Sequence, residues 1–350
     1  MIKNLQGLRG IAALFVVLAH IGQLLAGGIG GFFSFGIYGV DLFFVISGFV
    51  MVYTTSSKLM TPVQFFTNRI IRIVPLYWSA TIAVFAVAYF LPAALKTTDT
   101  NMINLVKSLF FIPYMKKGGI AQPVLFLGWT LNYEMFFYAI FAIGLTIKDL
   151  KTRTFTVLAF LTVLAFLGLI FAPTSLFANF YTSPLLLEFG YGMLIGYYYP
   201  RLGAHAPAIP IAALLMVAGF VGLILGHEVF AGSAQRLQTG LAAGVIVYAA
   251  LALEARGAVQ RSSFVLLVGA ASYALYLVHP FVLGALDKIA ERLGATHGWM
   301  VVPFMLTSVV GAVAAAIAVH LMFERPLNRA LRFLHTAHGR RLAKASATNG

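Results

Sequence analysis

Ten stretches of the chain stay apolar for long enough to cross a bilayer: residues 8–26, 36–55, 76–94, 124–147, 154–171, 184–199, 209–226, 237–253, 264–286 and 300–323. At ~1.5 Å rise per residue a helix needs roughly 20 residues, and 17 suffice when it is upright, to cover a hydrocarbon core of ~30 Å. Backbone in hydrocarbon must satisfy its own polar groups. The pattern therefore predicts an all-α, polytopic membrane protein with about ten transmembrane helices. Composition agrees, at 61% hydrophobic, 10% charged and mean hydropathy +0.92, because soluble domains place about a quarter of their residues in the charged class. The stretch 102–114 is too short to cross and reads as an interfacial or re-entrant piece. Met1 to Gly27 has the outline of a signal peptide, but Arg9 and His20 within it and the many spans that follow favour a retained first helix.

Loop charge orients the bundle. Lys3, Arg9, Lys58, Arg69, Arg72, Lys148, Lys151, Arg153, Arg201, Arg256, Arg261, Arg325, Arg329, Arg332, Arg340, Arg341 and Lys344 fall on one side. The opposite side carries Lys96, Lys107, Lys116, Lys117, Arg236, Lys288 and Arg292. The split is 17 against 7 of the 24 basic residues, which places both termini in the cytoplasm by the positive-inside rule. The net charge of +14 is thus a matter of topology, and no nucleic-acid partner is expected. Residues 1–327 read as one transmembrane domain and 328–350 as a flexible basic cytoplasmic tail.

A charged side chain deep in a span costs at least ~2.5–3.5 kcal/mol, so each one needs a partner or a task. Arg9 and His20 are eleven residues apart, ~20° out of phase on one helix face and ~16–17 Å apart along its axis. With Arg9 at the inner boundary, His20 sits near the bilayer midplane. The second span contributes Asp41 and Ser47 from "GVDLFFVISGF", and "FTNRIIRIVPLYW" supplies Arg69 and Arg72 one turn apart on the cytoplasmic side. Glu134, in "LGWTLNYEMFFYAIF", lies ~15 Å into the fourth span, close to the depth of His20. Those two would form an acid–base pair if their helices are adjacent. "SYALYLVHPF" in the ninth span carries Tyr276 and His279, and the tenth ends in "FERPL" with Glu324 and Arg325.

Each residue also has a structural reading. Arg9 can snorkel, and Arg69 and Arg72 can serve orientation alone. Glu134 and His20 can form an interhelical pair, Asp41 and Ser47 can pack, and His279 can be structural beside a helix-kinking Pro280. Trp78, Trp129 and Trp299 suit sugar stacking or the membrane interface equally. The chain has no Walker loop, HExxH or GxSxG, and no cluster at metal-ligand spacing. It has no cysteine either, which removes thiol chemistry.

Taken in order, "LQGLRGIAALFVVLAH", "GVDLFFVISGF", "RIIRIVPLYW", "WTLNYEMFFY", "SYALYLVHPF" and "FERPL" resemble the acyltransferase-3 family of membrane acyltransferases, in register from Asn4 to about Leu327. The style is that of bacterial exopolysaccharide and lipopolysaccharide O-acyltransferases. The resemblance implies transfer of an acyl group, often acetyl, from cytoplasmic acyl-CoA to a hydroxyl of a carbohydrate or lipid-linked glycan. It implies a bacterial inner-membrane location, no metal, and an association with polysaccharide biosynthesis proteins. It assigns function to Arg9, His20, Arg69, Arg72 and Glu134. On that basis His20 is the expected general base and Glu134 its aid. Arg9, Arg69 and Arg72 bind the CoA phosphates. Asp41, Ser47, Trp129, Tyr276 and His279 line the substrate path. The rival reading is a proton-coupled transporter or flippase of a polysaccharide precursor, and a third is a structural partner in an export assembly.

Overall fold

Helix-forming apolar runs joined by short polar turns leave little choice of secondary structure, and the computed structural model is helical almost throughout. It describes residues 2–25, 29–57, 60–92, 95, 98, 100–116, 119, 121–293 and 298–335. In chain order the helices are α1 (Lys3–Leu24), a short α2 (Ile29–Phe32), α3 (Gly39–Ser56), α4 (Pro62–Phe90), a short α5 (Met102–Leu109), α6 (Gly128–Gly144) and α7 (Leu150–Phe171). There follow a short α8 (Leu176–Tyr181), α9 (Leu186–His205), α10 (Ile209–Val229), α11 (Gly232–Ala255), α12 (Ser263–Ala270), α13 (Ser272–Leu293) and α14 (Val301–Val319). Among the described residues the only β pairing is an isolated bridge between Met115 and Ala121.

Each of the ten apolar runs coincides with a long helical segment. Among the described residues seven helices are long and apolar enough to cross a membrane, or eight if α12 and α13 are counted as one bent span. The other two runs became α6, which is only 17 residues long, and α9, whose apolarity is diluted by Glu188, four tyrosines and Arg201. The stretch expected to be interfacial forms α5, which packs on α4.

The boundaries depart from the apolar runs in three places. Helix α4 begins fourteen residues before the run at 76–94, because Thr61 and Gln64 form a reciprocal capping box with Pro62 in the first turn. Arg69 and Arg72 therefore stand on a helix wall instead of in a loop. The ninth span bends by 74° between α12 and α13. That bend falls at Ala271, not at Pro280, which α13 accommodates internally. Just before the bend, Gly269 meets the backbone of α1 at Gln6, leaving no room for a side chain. At the other end α14 continues through a π-helical segment (His320–Glu324) and on to His335, so the expected flexible tail starts out helical. Lys58, Lys96, Lys117 and residues 336–350, with Arg340, Arg341 and Lys344, lie outside the described residues.

Burial sorts the helices into centre and rim. In the α1 and α3 segments 67% and 78% of the spanning residues are buried, against 22% in α7 and α10. The exposed residues of the rim are apolar, as Phe166, Ile170, Leu214 and Val217 illustrate, so the rim faces lipid. Helix α1 has no local N-cap. Its first backbone N–H groups donate instead to the Glu254 carboxylate of α11, from Lys3 at 3.0 Å and Asn4 at 2.6 Å. That anchor satisfies the orphan donors and fixes the end of the helix that carries Arg9.

Helices α3 and α9 cross so closely that a Cβ at Gly48 would overlap the Phe189 carbonyl, and one at Gly192 would overlap that of Val45. Small residues allow such backbone contact within membranes. We expect Gly48→Ala to force the pair apart and destabilise the protein by ~1–3 kcal/mol. Gly284→Ala, which meets nothing within 4 Å, should be neutral or slightly stabilising. Thermal unfolding of both variants in detergent measures the difference.

Candidate active site

Two cavities lie in the bundle centre. The first is walled by Arg9 of α1, by Val40, Phe43, Phe44, Ser47 and Met51 among others on α3, by Arg69, Arg72 and Ile73 of α4, by Thr130, Leu131, Glu134 and Tyr138 of α6, and by Tyr273 and Tyr276 of α13. The second contains Val16, His20 and Gln23 of α1, Ile37 and Val40, then Gln122, Phe126, Leu127 and Trp129, and again Tyr276. Val40 and Tyr276 line both. The first cavity uses the starting halves of α1 and α4. The second uses the far end of α1 and the starting ends of α3 and α6, so the cavities lie toward opposite ends of the bundle.

Three arginines converge on the first cavity without a carboxylate at ion-pair distance from any of them among the described residues. One Nη of Arg9 donates to Ser272 Oγ at 3.1 Å, across the α12–α13 bend. The Nε atoms of Arg9 and Arg69 are buried without a hydrogen-bond partner. The Arg69 guanidinium lies over the rings of Phe65 and Tyr138, 5.4 and 5.9 Å from their centroids. Buried guanidinium N–H groups are expensive to leave unpaired. Two such groups, with Arg72 lining the same space, make a receptor for a polyanion.

Glu134 faces the same cavity. It accepts a short hydrogen bond from the Tyr138 hydroxyl, and Ser47 Oγ lies 3.3 Å from its carboxylate and 3.2 Å from Tyr138. The structure therefore unites Glu134 with Ser47 and Tyr138, and does not bring it to His20. Tyr138 escaped the sequence reading, although its i+4 spacing from Glu134 is the signal that could have found it. Tyr273, also missed, ties α13 to α4 through Ile73 O at 2.8 Å.

His20 borders the second cavity, its ring tilted against those of Phe126 and His279 with centroids 5.4 and 5.0 Å away. Its Nδ1 lies 2.8 Å from Val16 O and 3.3 Å from His279 Nε2. Trp129 supplies an aromatic wall, and Gln23 and Gln122 supply amides. Tyr276 is fixed at the junction by contacts with Thr130 Oγ1 (2.8 Å) and Leu127 O (3.1 Å). His279 is fully buried behind His20 and lines neither cavity. Asp41 also lines neither. It accepts from Thr239 Oγ1 at 2.7 Å and faces Glu188 of α9. The helical period explains this: positions 40, 43, 44, 47 and 51 of α3 form the cavity face, while 41 and 48 lie on the face toward α9 and α11. Of the other tryptophans, Trp78 donates to Leu109 O at 2.8 Å and Trp299 is exposed. Within the last motif Glu324 is held by His320 at 2.7 Å. Among the described residues no group of His, Asp and Glu is arranged to hold a metal ion.

The protein is thus a multi-pass helical bundle with an arginine-lined cavity and a histidine-lined one that share Val40 and Tyr276. The comparisons with known proteins give that class its family. The acyltransferase-3 family, described as an acyltransferase domain, matches residues 2–321, and the chain belongs to it. It is a membrane acyltransferase and requires an acyl donor as co-substrate. It is 36% identical over 305 residues to the exopolysaccharide production protein ExoZ of Rhizobium meliloti (strain 1021), covering 86% of this chain and 92% of that one. It is 31% identical over 150 residues, 39% of this chain and 36% of the relative, to a protein of Komagataeibacter xylinus provisionally named a membrane-bound transacylase, BcsY. No solved structure matches.

Proposed function

We propose that the protein transfers an acyl group, acetyl in the simplest case, from acyl-CoA to a hydroxyl of an exopolysaccharide or its lipid-linked precursor at the bacterial inner membrane. One observation carries this reading: three arginines, two of them with a buried and unpartnered Nε, in one cavity and a histidine in the other, with Tyr276 common to both. Arg9, Arg69 and Arg72 hold the phosphates of the donor at the end of the bundle where the termini lie. By the distribution of loop charge that end is cytoplasmic. The acyl thioester then points along the cavity toward Tyr276. The glycan enters from the opposite end, where Trp129 offers a ring to a sugar face and Gln23 and Gln122 offer hydrogen bonds.

The chemistry needs little more. The attacking hydroxyl gives its proton to His20 as its oxygen bonds to the thioester carbonyl carbon. The C–S bond then breaks, and the proton passes from His20 to the departing thiolate, leaving free CoA and an ester. Glu134, held by Tyr138 and Ser47, is the acidic member of the donor cavity, and its charge favours the guanidinium form of the arginines that share that space. Asp41 serves the α3–α9–α11 junction that shapes the acceptor end.

The test is thiol release by purified protein. CoA release from acetyl-CoA should depend on added glycan, with one ester formed per CoA. Glycan movement across vesicles without CoA consumption would favour the transporter reading instead.

A further inference from the structure

His279 has no place in either cavity, yet its surroundings determine where hydrogens sit on His20. Its Nδ1 lies 2.9 Å from the carbonyl oxygen of Leu275. A carbonyl can only accept, so that nitrogen carries the hydrogen, and a neutral ring then has a bare Nε2. The same logic applies to His20, whose Nδ1 faces Val16 O at 2.8 Å. A bare Nδ1 there would set two lone pairs against each other. The remaining contact, His279 Nε2 to His20 Nδ1 at 3.3 Å, fits one assignment of two neutral rings. The His20 Nδ1–H is shared between Val16 O and His279 Nε2, and both Nε2 atoms are bare. A cationic His279 would be a charge at a fully buried site with no carboxylate beside it, which is costly.

We propose that His279 is the positioning residue for His20, locking it in the Nδ1–H tautomer so that its basic Nε2 is presented to the second cavity, and accepting from the imidazolium that forms there. This rests on the reading of His20 as the base. No described residue hydrogen-bonds His20 Nε2, and the ring borders that cavity. When Nε2 takes the hydroxyl proton, the Nδ1–H already has two acceptors in place. A neutral imidazole thus does what a carboxylate does for the histidine of a hydrolase triad, without burying a negative charge near the bilayer centre. The other titratable group lining the cavity, Tyr276, is engaged by Thr130 and Leu127. Glu134, Arg9, Arg69 and Arg72 all border the first cavity.

The experiment compares wild type, His279→Leu, His279→Gln and His20→Ala in glycan-dependent CoA release, with ¹⁵N-histidine NMR of the wild type. His279→Leu should lower kcat by at least about tenfold while KM for acetyl-CoA moves by less than about twofold. His279→Gln, whose side-chain carbonyl can accept the same hydrogen, should recover much of that loss. The wild-type signal that disappears in His20→Ala should show the Nδ1–H tautomer. Full kcat in His279→Leu, no recovery in a folded His279→Gln, or an Nε2–H tautomer of His20 would each overturn the proposal. The NMR result decides it even if the leucine variant does not fold. Full activity of His20→Ala would instead overturn the reading of His20 as base.

Discussion

Substituting His20 by alanine is expected to reduce kcat for acyl transfer by 10²–10⁴-fold, roughly the worth of a general base, with little change in donor KM. The expectation follows from placement. His20 stands in a different cavity from the arginines, and its closest polar neighbours are Val16 O and His279. Removing the ring should leave the anion receptor intact, so donor affinity should persist while chemistry stops. Equilibrium binding of CoA and single-turnover transfer, measured on the same protein, separate the two effects. A His20→Ala variant that loses CoA binding and turnover together would mean that the cavities do not divide the labour as described.

The complementary large effect belongs to Arg69. Its guanidinium lies over Phe65 and Tyr138 with a buried, unpartnered Nε, and the neighbouring Arg72 borders the same space. We expect Arg69→Gln to raise KM for acyl-CoA by about 10–100-fold, the scale of one lost charge-assisted hydrogen bond of ~1.5–3 kcal/mol. Arg69→Lys should recover only part, because an ammonium restores charge but not the planar fork or the stacking on Tyr138. The two variants should differ from wild type far less when dephospho-CoA or pantetheine thioesters serve as donors. An equal loss with every donor would point to a purely structural arginine.

How far the sequence alone could lead differs from residue to residue. Membrane helices are legible because hydrocarbon imposes their length, so all ten apolar runs mark helical segments. The Arg9–His20 face follows from the helical period, and the structure keeps Arg9 and His20 on one side of α1, bordering successive cavities. The beginning of α4 was not legible as apolarity, since its first turns carry Gln64, Asn68, Arg69 and Arg72; the capping box was the available sign. Which helices adjoin is a tertiary fact. Depth alone suggested pairing Glu134 with His20, whereas packing gave Glu134 to Tyr138 and Ser47, and His20 to His279. Asp41 shows the same limit: its depth is right for the path, but its face of α3 turns toward α9 and α11. The bend at Ala271 sits beside the close contact of Gly269 with α1, which no local signal announces, while Pro280, the expected kink, is absorbed within α13.

In the proposed arrangement donor and acceptor meet from opposite ends of one bundle. Sealed vesicles test it most directly. Inverted membrane vesicles carrying the protein, loaded with glycan in the lumen, should esterify that glycan when membrane-impermeant labelled acetyl-CoA is added outside. Right-side-out vesicles with donor and glycan both outside should form no product. Transfer that occurs only when donor and glycan share one side of the membrane would contradict the account.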